Sequence, residues 1–117
     1  MPHTREKGKG AEEIAEKFLV EKGFKIIERN FYFGRGEIDL IADDNGIIVF
    51  IEVKSRKSVE YGEPEDSITI GKRRQIRKVA EGYLYEKNIS GVEARFDVVA
   101  IKWETSEPVI NYYPNAF

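Results

Sequence analysis

Apolar and polar residues follow a helical period in two stretches of the chain. Residues 11–22 carry apolar side chains at the spacing of one helix face. The same spacing returns in a second stretch that begins at Thr69 or Gly71 and ends near Asn88 or Gly91. The sequence therefore predicts two amphipathic helices. Their apolar stripes contain Ala11, Ile14, Ala15, Phe18 and Leu19 in the first, and Ile76, Val79, Ala80, Tyr83 and Leu84 in the second.

Period-two alternation and short apolar runs predict the first three strands. A short strand over residues 24–28 is followed by a polar and aromatic connection that ends at Gly34. Two longer strands are predicted at residues 36–42 and 47–55, and they flank Asn45-Gly46. Asn-Gly between two apolar runs is the strongest short-range signal for a hairpin.

Two further strands complete the pattern. Residues 92–103 are apolar on both faces around their middle, which is typical of a central strand. Residues 109–113 predict an edge strand, because Pro108 has no N–H to donate to a ladder before it. Residues 56–66 show no period and predict a loop. The order α-β-β-β-α-β with a last strand indicates an α/β fold whose mixed sheet is flanked by helices.

Length and composition narrow the classes of function. A chain of 117 residues predicts a single domain, of which the polar residues 1–9 are expected to be flexible. The chain has no cysteine, and its one histidine is His3, so disulfides, thiolate nucleophiles and His-based metal sites are not expected. No apolar run approaches the ~20 residues of a membrane span. We expect a soluble, cytoplasmic protein with no membrane partner.

Charge is distributed unevenly although the formal net charge is only −2. Residues 31–66 hold an excess of acids, whereas residues 67–80 hold no acid. Pairing with acids one helical turn away therefore does not explain the basic block on the second helix, and the pattern favours a phosphate-facing surface. The basic residues of that block are Lys72, Arg73, Arg74, Arg77 and Lys78.

The hairpin predicts a cluster of charged side chains. If Asn45 and Gly46 form the loop, Asp39 lies opposite Glu52 and Glu37 lies opposite Lys54. This face also carries Ile41, Ile48 and Phe50, so it is expected to pack against a helix. Two acids in such a setting need an offsetting charge, and Mg²⁺ prefers carboxylate oxygen ligands. The alternative is an ordinary salt-bridge lattice on a solvated strand face.

Both helices offer further candidates for this cluster. Glu12 lies at the border of the apolar stripe of the first helix and is the acid best placed to reach the sheet, although acids in a first turn also simply complement the helix dipole. Lys72 and Gln75 lie on or near the stripe of the second helix and can face the acidic cluster.

Several strings of residues resemble the PD-(D/E)XK nuclease superfamily, which has the restriction-endonuclease-like fold. Asp39 is followed thirteen residues later by Glu52-Val53-Lys54, within the longer strings 36–42 and 50–56. These strings look like the YraN-type family of predicted endonucleases, relatives of archaeal Holliday junction resolvases. Ile38 stands where the superfamily name has proline. Other matching residues are Ala11-Glu12, Ala15, Arg29-Asn30, Tyr61-Gly62, Lys72, Arg95-Phe96-Asp97-Val98-Val99 and Asn115-Ala116-Phe117.

The resemblance implies a role for each matched position. Asp39 and Glu52 would ligate Mg²⁺ or Mn²⁺, with the Val53 carbonyl as a further ligand and Glu12 completing the shell. Lys54 would orient or activate the attacking water. Asp97 matches the family but is read as structural, accepting a bond from Arg95 or a backbone amide. The candidate nucleic-acid-binding residues are Arg35, Arg56, Lys72, Arg73, Gln75 and Arg77.

Three functions stay open at this point. The first is a metal-dependent endonuclease that hydrolyses phosphodiester bonds in branched, flapped or single-stranded DNA, with RNA as an alternative substrate. The second is a non-catalytic nucleic-acid-binding module with the same fold. The third is a structural or adaptor protein whose acids form only salt bridges. Analogy with resolvases, which pair to cut two strands, makes a homodimer plausible.

Overall fold

The computed structural model describes residues 3–56, 68–103 and 106–117, with side chains from residue 10 onward. Within these ranges, two helices and five strands form one α/β layer arrangement, as the sequence predicts. The elements are α1 (His3–Glu21), β1 (Lys25–Phe33), β2 (Gly36–Asp44), β3 (Ile47–Arg56), α2 (Ile70–Glu86), β4 (Ala94–Lys102) and β5 (Val109–Tyr113).

The five strands form one mixed sheet in the order β1-β2-β3-β4-β5. Neighbouring strands are antiparallel except β3 and β4, which are parallel and joined through α2. Both β4 as an interior strand and β5 as an edge strand are confirmed. The αβββαβ order with this mixed sheet is that of a restriction-endonuclease-like core.

The two helices cover opposite faces of the sheet. Ala11, Ala15 and Leu19 of α1 pack in one core cluster with apolar residues of β2, β3 and β4. Ile76, Val79, Ala80 and Tyr83 of α2 pack on the other face. This second cluster contains Ile41, Ile48 and Phe50, so the predicted packing of that strand face against a helix is confirmed.

The first helix begins earlier in the chain than the sequence predicts. Helix α1 begins at His3 and not at Ala11, because the residues before Ala11 are polar and extend the helix without adding an apolar stripe. That residues 1–9 are flexible stays a prediction. Helix α2 begins after Thr69, whose side chain accepts from the Lys72 amide, as predicted. No helix in the described ranges has the length and apolarity of a membrane span.

Strand β1 is longer than predicted. It continues to Phe33 through the segment that the sequence predicts as a connection. The prediction ended too early because two irregularities hide the alternation of the strand. Its register with β2 shifts by one residue between Ile26 and Glu28, and Asn30 has a φ of 50°. The loop predicted for residues 56–66 lies outside the described residues, apart from Arg56 at the end of β3.

The hairpin register is confirmed, but strict alternation along β2 is wrong at one point. Asp44 pairs with Ile47 and Leu40 pairs with Ile51, as the Asn45-Gly46 loop predicts. Ile38 and Ile41 nevertheless share the α2 face, whereas Leu40 lies in the α1 cluster. Two residues three positions apart share a face only if the pleat is interrupted between them. Asp39 lies at this interruption.

A close approach between α2 and β1 explains Gly82 inside the helix. A Cβ at position 82 would lie 2.4–2.5 Å from three atoms of the Phe33 ring. Gly82→Ala should therefore destabilise the protein by about 1–2 kcal/mol, because the overpacking penalty exceeds the gain in helix propensity.

Chemical denaturation measures this effect, and the exposed Gly71 of the same helix supplies the matched control. A Cβ at position 71 meets only the Thr69 hydroxyl at 3.9 Å, so Gly71→Ala should be neutral or stabilising. Equal stabilisation by both substitutions would contradict the close approach.

Candidate functional site

Strands β2 and β3 separate at one end of their ladder. Leu40 and Ile51 are the last residues paired there, and beyond them Asp39 Oδ2 accepts a hydrogen bond of 2.8 Å from the Val53 amide. The predicted ladder pairs of Asp39 with Glu52 and of Glu37 with Lys54 lie past this point and are not formed. A carboxylate has taken the place of a backbone carbonyl, so Asp39 is fixed beside β3.

Asp39 and Glu52 form a pair of acids in which Glu52 is buried and Asp39 is half-buried. Burial, followed by the charge of Glu52, raises the pKa of Asp39 to about 8, although the Val53 amide acts in the opposite direction. Glu12 and Glu37 add further negative charge to its surroundings. Burial also raises the pKa of Glu52. The two carboxylates are held where neither is ionised easily without a nearby positive charge.

Lysines from two elements partly offset the charge of Glu52. Lys72 of α2 places its Nζ 3.6 Å from Glu52 Oε2, and the positive charges of Lys72 and Lys54 both lower the pKa of that acid against the effect of burial. Glu52 is only 7% exposed, and its Oε1 has no hydrogen-bond partner among the described residues. A buried carboxylate oxygen without a partner is costly, so this atom has an unmet need for a hydrogen bond or a positive charge.

Asn30 joins two more acids at the edge of the site. Its Nδ2 donates to Glu12 Oε1 at 3.0 Å and to Glu37 Oε2 at 2.9 Å. Glu12 does approach the sheet as predicted, but it is held to Glu37 through Asn30. Pattern reasoning missed Asn30, which appeared only as part of the matching Arg29-Asn30 dipeptide. Its left-handed backbone, which asparagine tolerates, turns the side chain toward the acids.

The remaining basic candidates lie in three different environments. Arg35 is exposed in the turn between β1 and β2. Arg73 and Arg77 stack over the Phe117 ring, and Arg77 also lies 4.8 Å from the centre of the Phe96 ring. Arg56 donates to the Ser55 carbonyl at 3.2 Å. The cations of α2 thus divide between the acidic pair, the aromatic residues and solvent.

Gln75 marks the point where α2 comes closest to the start of β2. Its Cγ would lie 3.0 Å from a Cβ added to Gly36, and Val79 Cγ2 would lie still closer at 2.5 Å. Only glycine fits at position 36. The close packing brings α2 beside the strand that carries Glu37 and Asp39. That Gln75 faces the acids stays a prediction.

Asp39 and Glu52 fit a divalent cation whose remaining oxygen ligands come from water or substrate. In the described ranges no group of three or more acids or histidines is arranged to hold a metal ion. Asp39 and Glu52 are two carboxylates, however, and Mg²⁺ is commonly bound by one or two with substrate phosphates. The unpartnered Glu52 Oε1 and the raised pKa values both indicate an unmet need for positive charge.

The fold and this site define an α/β protein with a restriction-endonuclease-like core and an acidic pair at the split between β2 and β3. Residues 11–101 match the model of the Uncharacterised protein family UPF0102. The chain belongs to the UPF0102 family, which confirms the YraN-type resemblance.

Relatives in several bacteria support this assignment across the chain. A UPF0102 protein of Persephonella marina is 48% identical over 95 residues, which are 81% of this chain and 82% of that protein. A UPF0102 protein of Dictyoglomus turgidum is 38% identical over 98% of this chain and 99% of its own length. One from Natranaerobius thermophilus is 46% identical over 85% of each. These names show the family and state no reaction.

Proposed function

We propose that this protein is a Mg²⁺- or Mn²⁺-dependent endonuclease that hydrolyses phosphodiester bonds in DNA. The observation that carries the proposal is the Asp39–Glu52 pair, in which the buried Glu52 Oε1 has no hydrogen-bond partner among the described residues. Lys54 and Lys72 stand beside the same acid. Carboxylates for a cation and lysines for a phosphate therefore occur together at one open end of the sheet.

Each residue has a distinct part in this proposal. Asp39, Glu52 and the Val53 carbonyl would hold the metal, which lowers the pKa of bound water and stabilises charge on phosphorus. Lys54 orients the attacking water, and Lys72 attracts the phosphate. Glu12 and Glu37, held by Asn30, position water at the outer side of the site.

The proposal predicts that cleavage depends on Glu52 and Lys54. Glu52→Gln and Lys54→Met should each lower the rate by at least about a hundredfold, since each removes a group that touches the metal, water or phosphate. The measurement is a time course on single-stranded, duplex, flap and four-way-junction DNA with Mn²⁺ or EDTA. An RNA strand is included as the alternative substrate.

Exposed residues of α1 supply matched controls. Glu13→Gln and Lys17→Met remove the same charges away from the acidic pair and should cleave at the wild-type rate. Circular dichroism verifies the fold of every variant. Cleavage by folded Glu52→Gln and Lys54→Met at the control rate would refute the proposed site.

A non-catalytic nucleic-acid-binding module is the second candidate, and one observation favours it. Glu12 and Glu37 are bound to Asn30, which leaves two carboxylates at the centre of the site. Such a module binds DNA with an affinity that falls with salt and is unchanged by EDTA. Binding without any metal-dependent cleavage across the whole panel would establish it in place of the nuclease.

A further inference from the structure

A groove of about 830 Å³ runs along the outer side of α2 and past the turn between β1 and β2. Two aromatic residues, Phe33 and Tyr85, line it together with the cations Arg35, Arg74 and Lys78. None of these five side chains belongs to the acidic pair. Arg74 and Lys78 are exposed and belong to the basic block whose lack of acidic partners favours a phosphate-facing surface.

The cations of the groove are available to a ligand. Arg35, Arg74 and Lys78 make no ion pair or hydrogen bond with another residue of the described ranges. Glu81 is the one acid in the lining, so the groove as a whole is positively charged. Arg73 and Arg77 of the same helix differ, because they lie over aromatic rings. The groove therefore presents its charge to an anionic partner.

The two aromatic residues of the groove are exposed to solvent. Tyr85 is 84% exposed and Phe33 is 39% exposed. Phe33 lies directly on Gly82, so its ring is fixed against the helix. Exposed rings beside cations are the combination that proteins use to stack unpaired bases and hold their phosphates.

The groove lies beside elements that carry the acidic pair. Gly36 and Gln75 belong to its lining, and Gly36 directly precedes Glu37 on β2. One turn earlier on α2, Lys72 contacts Glu52. From Lys72 to Tyr85 the helix rises about 20 Å, which is the length of about six stacked nucleotides at ~3.4 Å each.

We propose that this groove binds an unpaired DNA strand next to the acidic pair, with bases stacked on Tyr85 and Phe33 and phosphates on Arg35, Arg74 and Lys78. The inference rests on the proposed nuclease function and specifies its substrate class. Duplex DNA keeps its bases stacked on each other and offers little to the two rings. Substrates with a single-stranded arm are therefore preferred over blunt duplex.

The test is a binding measurement that does not depend on cleavage. Fluorescence anisotropy follows a labelled oligothymidylate and a blunt duplex in EDTA at low salt. Tyr85→Ala should weaken single-strand binding about tenfold, because base stacking contributes strongly at such sites, and it should leave duplex binding nearly unchanged. Tyr85→Phe keeps the ring and should bind as the wild type does.

The charges of the groove are tested with a matched control. Arg74→Ala with Lys78→Ala should weaken single-strand binding and reduce its salt dependence. Lys17→Ala with Lys25→Ala removes the same net charge elsewhere and should have little effect. Polyglutamate is added as a competitor to represent an acidic polypeptide partner, and it should displace the oligonucleotide poorly.

The outcomes separate this inference from the nuclease proposal. If Tyr85→Ala and the Arg74/Lys78 variant bind single strands as tightly as their controls, the groove is not the binding site, even when cleavage is intact. Displacement by polyglutamate as effective as by unlabelled oligothymidylate would also overturn it. Groove-dependent binding without metal-dependent cleavage would support the groove and refute the nuclease.

Discussion

Replacing Asp97 with alanine should destabilise the protein by about 3–5 kcal/mol, the usual result of breaking a buried and paired charge. Asp97 is fully buried on β4. Such a loss is a large fraction of the 5–15 kcal/mol that stabilises an ordinary domain. The variant should therefore be partly unfolded at modest temperature.

Asp97 has this effect because it connects three segments of the chain. Its carboxylate accepts from Arg95 Nε at 3.0 Å, from the Tyr112 hydroxyl at 2.6 Å and from the Asn115 amide at 2.8 Å. Burial, together with this bond to Asp97, raises the pKa of Tyr112 to about 12. Alanine would leave the hydroxyl and the amide without this acceptor.

Urea denaturation measures the loss, with Asp44→Ala as the control. Asp44 accepts one bond from Arg95 at 3.0 Å in a more exposed position, so its removal should cost less than about 1 kcal/mol. Asp97→Asn keeps the shape and should fall between the two. Equal denaturation midpoints for Asp97→Ala and Asp44→Ala would contradict the structural role of Asp97.

The contrast between the hairpin and Asp97 shows which parts of the fold are visible in the sequence. Asn45-Gly46 sets the register of β2 and β3 through local backbone geometry, so the pairing of Asp44 with Ile47 could be predicted. The bond from Arg95 to Asp97 was also expected, since the two residues are close in sequence. The bonds from Tyr112 and Asn115 depend on how β5 and the C-terminus return to the sheet.

The sequence predicts which residues form the candidate site, but it does not predict how they are arranged. The alternation of side chains along the hairpin strands predicted that Asp39 and Glu52 lie close together. The helical spacing predicted that Lys72 faces them. The arrangement departs from strict alternation because Asn30 on β1 has a left-handed backbone and Asp39 bonds to the Val53 amide. A partner strand thus altered the pleat of β2, which no pattern within β2 could reveal. The aromatic rings beside Arg73 and Arg77 were likewise unforeseen.

Asp39→Asn should stabilise the metal-free protein at alkaline pH, by about 3–5 kcal/mol at pH 9. Burial and the charge of Glu52 raise the pKa of Asp39 to about 8, compared with an unfolded value near ~3.9. Asparagine keeps an oxygen that can accept from the Val53 amide, and it carries no charge. The substitution therefore removes a penalty and retains the contact.

The sign of the pH dependence follows from the raised pKa. Below about pH 4 Asp39 is protonated in both the folded and unfolded states and favours neither. Between about pH 4 and pH 8 the folded state keeps a proton that the unfolded state has lost, so the free energy of unfolding falls as pH rises. Above the folded pKa the full penalty is present. Asp39→Asn should flatten this decline and match the wild type near pH 4.

Divalent metal should narrow the difference in stability between the two proteins. If Asp39 is a ligand, Mn²⁺ at about a hundred times its Kd adds about 2.7 kcal/mol to the wild type at pH 8, because it binds only the folded state. The same Mn²⁺ should add little to Asp39→Asn.

Denaturation series at pH 4, 6, 8 and 9 with EDTA or Mn²⁺ measure both effects, with Asp43→Asn on the same strand as the control. Stabilisation of Asp39→Asn by Mn²⁺ to the wild-type extent would show that the cation binds elsewhere. An Asp39→Asn variant less stable than the wild type at pH 9 in EDTA would show that the acid is already neutralised by its neighbours, and the need for a cation at this pair would disappear.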